Sequence, residues 1–262
     1  MRVQDIMSQS YPALYMDELA TKARAILRET GVRLIPVIDE EKRLVGIVTR
    51  SDLMMITSSV SPISVRGIMS QPRFTATLDM DAIFALKRML YLDQWCVPVV
   101  KSSQNSTYEG VFALENFIEA ALKRNFSGLS KRISEIMSTD LTTCSPNDEV
   151  DNVWRLMQEK SFAGLPVVKK GKLVGIITQK DLLESGAAFP AFEAKRGRFK
   201  APPKVSSVMR TTIISLKPSD TIKRAAELMI DKNIGRIPIV DGGKLVGIVD
   251  REDIVRALLY GG

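Results

Sequence analysis

Histidine is absent from the 262 residues, cysteine occurs twice, and no apolar run approaches the length of a membrane span. Without an imidazole the chain cannot build Ser-His-Asp chemistry, a histidine metal centre or the usual proton shuttle for neutral pH. Cys96 and Cys144 share no local motif, which leaves neither a CxxC redox pair nor a zinc cage. Cys96 lies in the apolar run Trp95-Cys96-Val97-Pro98 and reads as a small buried residue. Apolar stretches such as Leu245-Val246-Gly247-Ile248-Val249 fall far short of the ~20 residues a bilayer helix needs. The opening MRVQDIMSQS lacks the apolar core of a secretory signal, so a cytoplasmic location is expected.

What is present is ordinary globular composition, 45% hydrophobic and 26% charged, in a length that suits two domains or several small modules. The net charge of +7 asks for nucleic acid, a phosphorylated ligand or an acidic partner, although common surface lysines and arginines would also produce it.

Self-similarity is the strongest signal. VQDIM ending at Met7, VRGIM at Met69, ISEIM at Met137 and VSSVM at Met209 are followed by Pro36, Pro98, Pro166 and Pro238, 29 residues on in every copy. Gly46, Gly110, Gly175 and Gly247 come 10, 12, 9 and 9 residues after those prolines, so length varies only where a hairpin loop can absorb it. Leu19, Ala23, Ile26 and Leu27 fall on one helical face that ends at Gly31. Val150, Val153, Leu156 and Met157, and then Ile222, Ala225, Ala226 and Met229, repeat the pattern. IPIV, Asp241-Gly242-Gly243-Lys244 and LVGIV read as a β-hairpin, and second helices start near Asp52, Asn116, Asp181 and Asp253. The fold class is α/β, with each unit strand–helix–strand–strand–helix. A unit of ~60 residues buries little by itself and should pair with another.

These features together resemble the cystathionine β-synthase (CBS) domain: the methionine, a helix, a strand with proline, and a glycine strand ending in [ST]-x-x-D. The resemblance covers nearly the whole chain and divides it into repeats at 1–60, 61–127, 128–190 and 200–262. It implies two paired Bateman modules, 1–127 and 128–262, closed into a disc within one chain or by dimerisation. Four CBS domains in a row, with GVRLIPVID at 31–39, are similar to the gamma subunit of AMP-activated protein kinase and its archaeal relatives.

In repeats one and three the glycine is followed by Thr49-Arg-Ser-Asp52 and Thr178-Gln-Lys-Asp181 at a strand-to-helix junction. A helix N-terminus and a threonine hydroxyl suit a phosphate, and the carboxylate suits a ribose cis-diol. The same T-x-x-D is equally a capping box that ties off its own helix. The resemblance further implies that Thr142 and Ala163 hold an adenine edge, and that Arg33 and Arg236 contact phosphates from a central cavity. Repeat two has Ala113 and Asn116 instead, which predicts an empty or weak site. Repeat four keeps Asp253 but carries Asp250 where a phosphate would sit, favouring an uncharged or cationic adenosyl group or a phosphate turned towards arginines.

The expected function is a non-catalytic regulator that binds AMP, ADP or ATP, with or without magnesium, and passes that status to a partner protein such as a kinase. An S-adenosylmethionine sensor and a nucleic-acid-binding regulator are the alternatives. The latter rests on residues 186–204, where Lys195, Arg196, Arg198, Lys200 and Lys204 accompany Phe192 and Phe199; a solvated linker explains them equally. Residues 101–109 look like a flexible polar loop.

Overall fold

The computed structural model describes residues 1–54, 62–185 and 203–261. Of the basic segment named above, Lys204 is described and reaches Glu149 at 3.5 Å; Lys195, Arg196, Arg198, Lys200 and the two phenylalanines lie outside the described residues.

Repeat one runs β1 (Leu14–Tyr15), α1 (Ala20–Thr30), β2 (Leu34–Ile38), β3 (Leu44–Thr49) and α2 (Arg50–Met54). Repeat two runs β4 (Ala76–Thr77), α3 (Ala82–Tyr91), β5 (Cys96–Ser102), β6 (Asn105–Ala113) and α4 (Leu114–Lys123). Repeat three has α5 (Val150–Glu159), β7 (Gly164–Lys169), β8 (Lys172–Thr178) and α6 (Gln179–Ser185). Repeat four has α7 (Ile222–Asp231), β9 (Arg236–Asp241), β10 (Lys244–Asp250) and α8 (Arg251–Tyr260).

The first strand is thus a two-residue strand in the first two repeats and a single parallel bridge in the others, Cys144 to Val167 and Leu216 to Ile239. Pro146 and Pro218 explain the difference. They stand where Leu78 of repeat two donates its N–H to Val100, and a proline has none to give. The predicted helical faces turn inward, although Ile26 and Leu156 are only half-buried, and one face is shifted. Leu19 precedes α1 in extended backbone and is 50% exposed, so Ala20, Ala23 and Leu27 form the inward face, closed by Gly31 at φ 70°. The segment 101–109 is not a loose loop. It lengthens the β5–β6 hairpin, whose Tyr108 N–H donates to Lys42 of repeat one, giving the extra backbone a partner.

Pairing is reciprocal. The short 3-10 turn before each repeat packs on the other member of its pair: Val3 donates to Met80 and Val65 to Glu18, while Ile133 donates to Asp220 and Val205 to Asp148. Repeats one and two therefore exchange their leading segments, as do three and four. A second exchange joins the sheets. Each hairpin has a bulge beside its glycine, and the partner's methionine segment lies against it. A β-carbon added to Gly46, Gly175 or Gly247 would meet the sulfur of Met69, Met209 or Met137 at 3.0, 2.8 and 2.6 Å. At Gly110 it would meet the Ser8 carbonyl at 2.3 Å.

Within the chain the two pairs pack on each other. Helix α4 lies against α7 and α8, so repeats two and four share one core that includes Phe112, Phe117, Met229 and Ile254. Repeats one and three keep smaller cores and meet through α1 and α6.

Substitution by alanine should separate the two kinds of glycine. G247A faces a flexible thioether and should cost about 1 kcal/mol; G110A faces backbone at a φ of 149° and should cost about 3 kcal/mol. Urea unfolding midpoints check the order, and equal losses would contradict it.

Candidate ligand-binding site

Two cavities open where the pairs meet. The first, about 430 Å³, is built from Ser138, Asp140–Thr142 and Ala163–Pro166 of repeat three and from Asp250, Glu252 and Asp253 of repeat four. Arg33, Thr49–Ser51 and Asp93–Cys96 close it from the other pair. The second, about 880 Å³, joins Thr178 and Lys180 of repeat three to Arg210–Ile214 and Lys232–Arg236 of repeat four, with Tyr11, Thr30–Arg33 and Arg50 opposite. Arg33, Arg50, Cys96, Ala163 and Arg236 belong to both walls.

The cavities are composite, which regroups the expected residues. Thr142 lies with Asp253 of repeat four rather than with Thr178 and Asp181 of its own repeat, and Ala163 borders both spaces. Thr49 lines the first cavity and Thr178 the second. Asp52 and Asp181 line neither wall. The reason is the exchange: in repeats three and four the strand-to-helix junction of one lies with the first-strand segment of the other.

The capping reading describes what these acids do in this structure. Asp52 accepts the Thr49 N–H and hydroxyl, both at 2.7 Å, and Asp181 accepts those of Thr178 at 2.9 and 2.6 Å. Asn116 accepts the Ala113 N–H at 2.8 Å, and Asp253 accepts the Asp250 N–H at 2.8 Å. The bond from this position to the last strand residue is therefore present in all four repeats, whatever precedes the helix. The second oxygens differ. Asp181 Oδ1 holds Arg210 in a close ion pair and the residue is 5% exposed. The Asn116 amide donates to Ser8 Oγ at 3.1 Å. Asp253 and Asp52 each keep one oxygen without a hydrogen-bond donor among the described residues.

The arginines supply the opposite charge. Arg33 lies 3.9 Å over the Trp95 ring, with no hydrogen-bond acceptor for its guanidinium among the described residues. Gly235 makes room: a β-carbon there would sit 2.6 Å from Arg33 Nη2. Arg236 donates to the Gly164 carbonyl, tying repeat four to repeat three. Burial, then the charges of Arg50 and Arg251, lower Arg33 to about 9, with Arg236 adding to the effect. Burial also lowers Arg50 and Arg236. Arg251, 4% exposed, pairs with Glu115 of repeat two at 3.1 Å. Arg50, Arg251, Trp95, Glu115 and Arg210 were not anticipated. A signal existed for two of them, since arginine opens the second helix in repeats one and four.

Cys96 and Cys144 are buried, and burial pushes each thiol up to about 12, so both pack as small apolar groups. Among the described residues no three acids or thiols are placed to hold a metal ion, and no helix is long and apolar enough to cross a membrane.

A family model described as CBS domain matches residues 3–58, 133–187 and 205–260. Uncharacterized protein MJ1225 of Methanocaldococcus jannaschii is 25% identical over 265 residues, covering 93% of each chain. The crystal structure of that protein, described as a candidate archaeal homologue of g-AMPK, superposes with a TM-score of 0.85 at 24% identity over the full length of both chains. An uncharacterized conserved protein from Pyrococcus horikoshii matches at a TM-score of 0.67 and 22% identity, over 98% of this chain and all of the other.

Burial first, and the neighbouring Asp250 charge second, push the Asp253 carboxyl up from 3.8 to about 7. A raised carboxyl favours the protonated folded state, so its contribution is complete below the unfolded value and lost as pH climbs through the folded one. Stability should accordingly decline between about pH 4 and pH 7 through this group. D253N should remove that slope in urea titrations at stepped pH; an unchanged slope would place the titration elsewhere.

Proposed function

Because the chain belongs to the CBS-domain family, we propose that it is a non-catalytic regulator that binds adenine nucleotides between its two Bateman modules. One observation carries this reading: Arg33, Arg50 and Arg236 border both cavities, and Arg33 has a stacked aromatic partner but no acceptor of its own. Cations held in this way are costly unless an anion joins them, and a guanidinium fork suits phosphate oxygens. The fold of MJ1225, described as a candidate homologue of g-AMPK, accords with a module that reports nucleotide status to a partner such as a kinase.

In the second cavity the ligand would act by exchange. Asp181 lies behind the wall with Arg210 on its Oδ1, so a ribose diol would reach it by displacing that arginine, which lines the cavity, towards the phosphate. Thr178 borders the same space and can add a hydroxyl. The two modules contribute residues to both cavities, so a ligand that prefers one mutual arrangement shifts the population towards it. That shift is what a partner would read.

AMP, ADP or ATP at saturating concentration should raise the melting temperature, by the linkage of a ligand to the folded state. D181A should weaken binding by ~1.5–3 kcal/mol, the worth of a hydrogen bond to a charged group. R33A should weaken it by at least tenfold and flatten its dependence on salt. Calorimetry that registers no heat with any of the three nucleotides would remove the proposal.

A further inference from the structure

The two cavities differ in charge, and the difference begins at one residue. Among the described residues the second cavity presents a single carboxylate, Glu115, against Lys180, Arg210, Lys232, Arg251 and the shared arginines. The first presents Asp93, Asp140, Asp250, Glu252 and Asp253 against Lys160 and those same arginines. Asp250 occupies the place of Thr49 and Thr178, and it does more than alter a formal charge. Its Oδ1 accepts the Glu252 N–H at 2.8 Å and the Asp253 N–H at 3.1 Å, at the start of the ten-residue helix α8. Thr178, by comparison, reaches the Asp181 N–H alone, at 3.2 Å, with a neutral hydroxyl. Helix α8 therefore carries its own anion on the amides that a ligand phosphate would otherwise use.

On the reading that these cavities bind adenosine derivatives, we infer that Asp250 makes the first cavity a site for an adenosyl ligand bearing no 5′-phosphate, leaving phosphorylated ligands to the second. Asp253 has an oxygen without a hydrogen-bond donor among the described residues, which suits the ribose diol. The 5′ carbon is two bonds from the 3′ carbon of that ring, and Asp250 donates its own N–H to Asp253 at 2.8 Å, so the 5′ group arrives beside the Asp250 carboxylate. A phosphate there meets like charge on filled amides; a hydroxyl, thioether or sulfonium does not. Arg236 lies opposite Asp250 in the hairpin and offsets part of its charge, but its guanidinium donates to Gly164 and leaves the amides occupied. The chain would then report two ligand classes at once, one anionic and one not.

Adenosine and AMP differ only in the phosphate and make the matched pair of probes. In calorimetry on the full chain, adenosine should still bind after saturation with AMP. In D250T the AMP stoichiometry should rise by one, with at least tenfold tighter AMP binding in the first cavity, and the extra adenosine event should vanish. D250N keeps a capping oxygen, removes the charge and should move AMP binding in the same direction, which guards against a D250T chain that fails to fold. AMP that displaces adenosine one for one in the wild type, or an AMP stoichiometry unchanged in both variants, would overturn the inference while leaving nucleotide binding intact. If neither probe binds, the broader function falls with it.

Discussion

The structure depends on the contact between the hairpin glycine of one repeat and the methionine segment of its partner. Each repeat offers both halves of that contact, so two repeats close on each other twice. A bulge lifts the strand at Gly46, Gly110, Gly175 and Gly247, and the absent side chain lets the neighbouring backbone pair directly, as Ser70 does with Ile47 and Ser138 with Ile248. The exchanged 3-10 turns add a second lock at the other end of the sheets. A single repeat lacks a partner for these groups, and its helix face and short sheet bury little apolar surface. Pairing is therefore a condition of folding. In repeats three and four it also brings the end of one hairpin to the first-strand segment of the partner, which builds the composite cavities.

Charge then determines what those cavities can hold. Arg33, Arg50, Arg236 and Arg251 come from two repeats in different modules and crowd one boundary, where burial and mutual repulsion lower Arg33 to about 9. The Arg33–Trp95 stack offsets part of that repulsion within the first module, and the Arg251–Glu115 pair joins the two modules. Of the two cavities it is the second that is short of carboxylates, with Glu115 alone among the described residues. Arg251 serves both roles, since it lines the second cavity and pairs with Glu115 across the modules.

Much of this was legible in the chain. The constant spacing of 29 residues from methionine to proline gave the repeat, and the variable link to glycine gave the hairpin. The helical faces followed from period, except at Leu19, where extended backbone before α1 turns the side chain outward. Local pattern could not show that Pro146 and Pro218 shorten the first strand, because that loss depends on which neighbour needs an N–H. Nor could it show that residues 101–109 stay in strand, because their partner is the distant turn at Lys42. The site was harder for the same reason. Thr142 shares repeat three with Asp181, but the exchange places it in one cavity wall with Asp253.

The acid in the [ST]-x-x-D pattern illustrates a limit on reading function from a signature. Asp52, Asp181, Asp253 and even Asn116 all accept the N–H of the residue three before them. That duty is structural and the same in each repeat, so the residue type alone says little about a ligand. What distinguishes the repeats is the remaining atom. It faces Ser8 in repeat two and Arg210 in repeat three, and it has no donor among the described residues in repeat four. The difference between the copies therefore lies in the residues around the acid, Asp250 and Arg210 above all. A position can be fixed by folding in every copy while its neighbours decide, copy by copy, whether it is also free to meet a ligand.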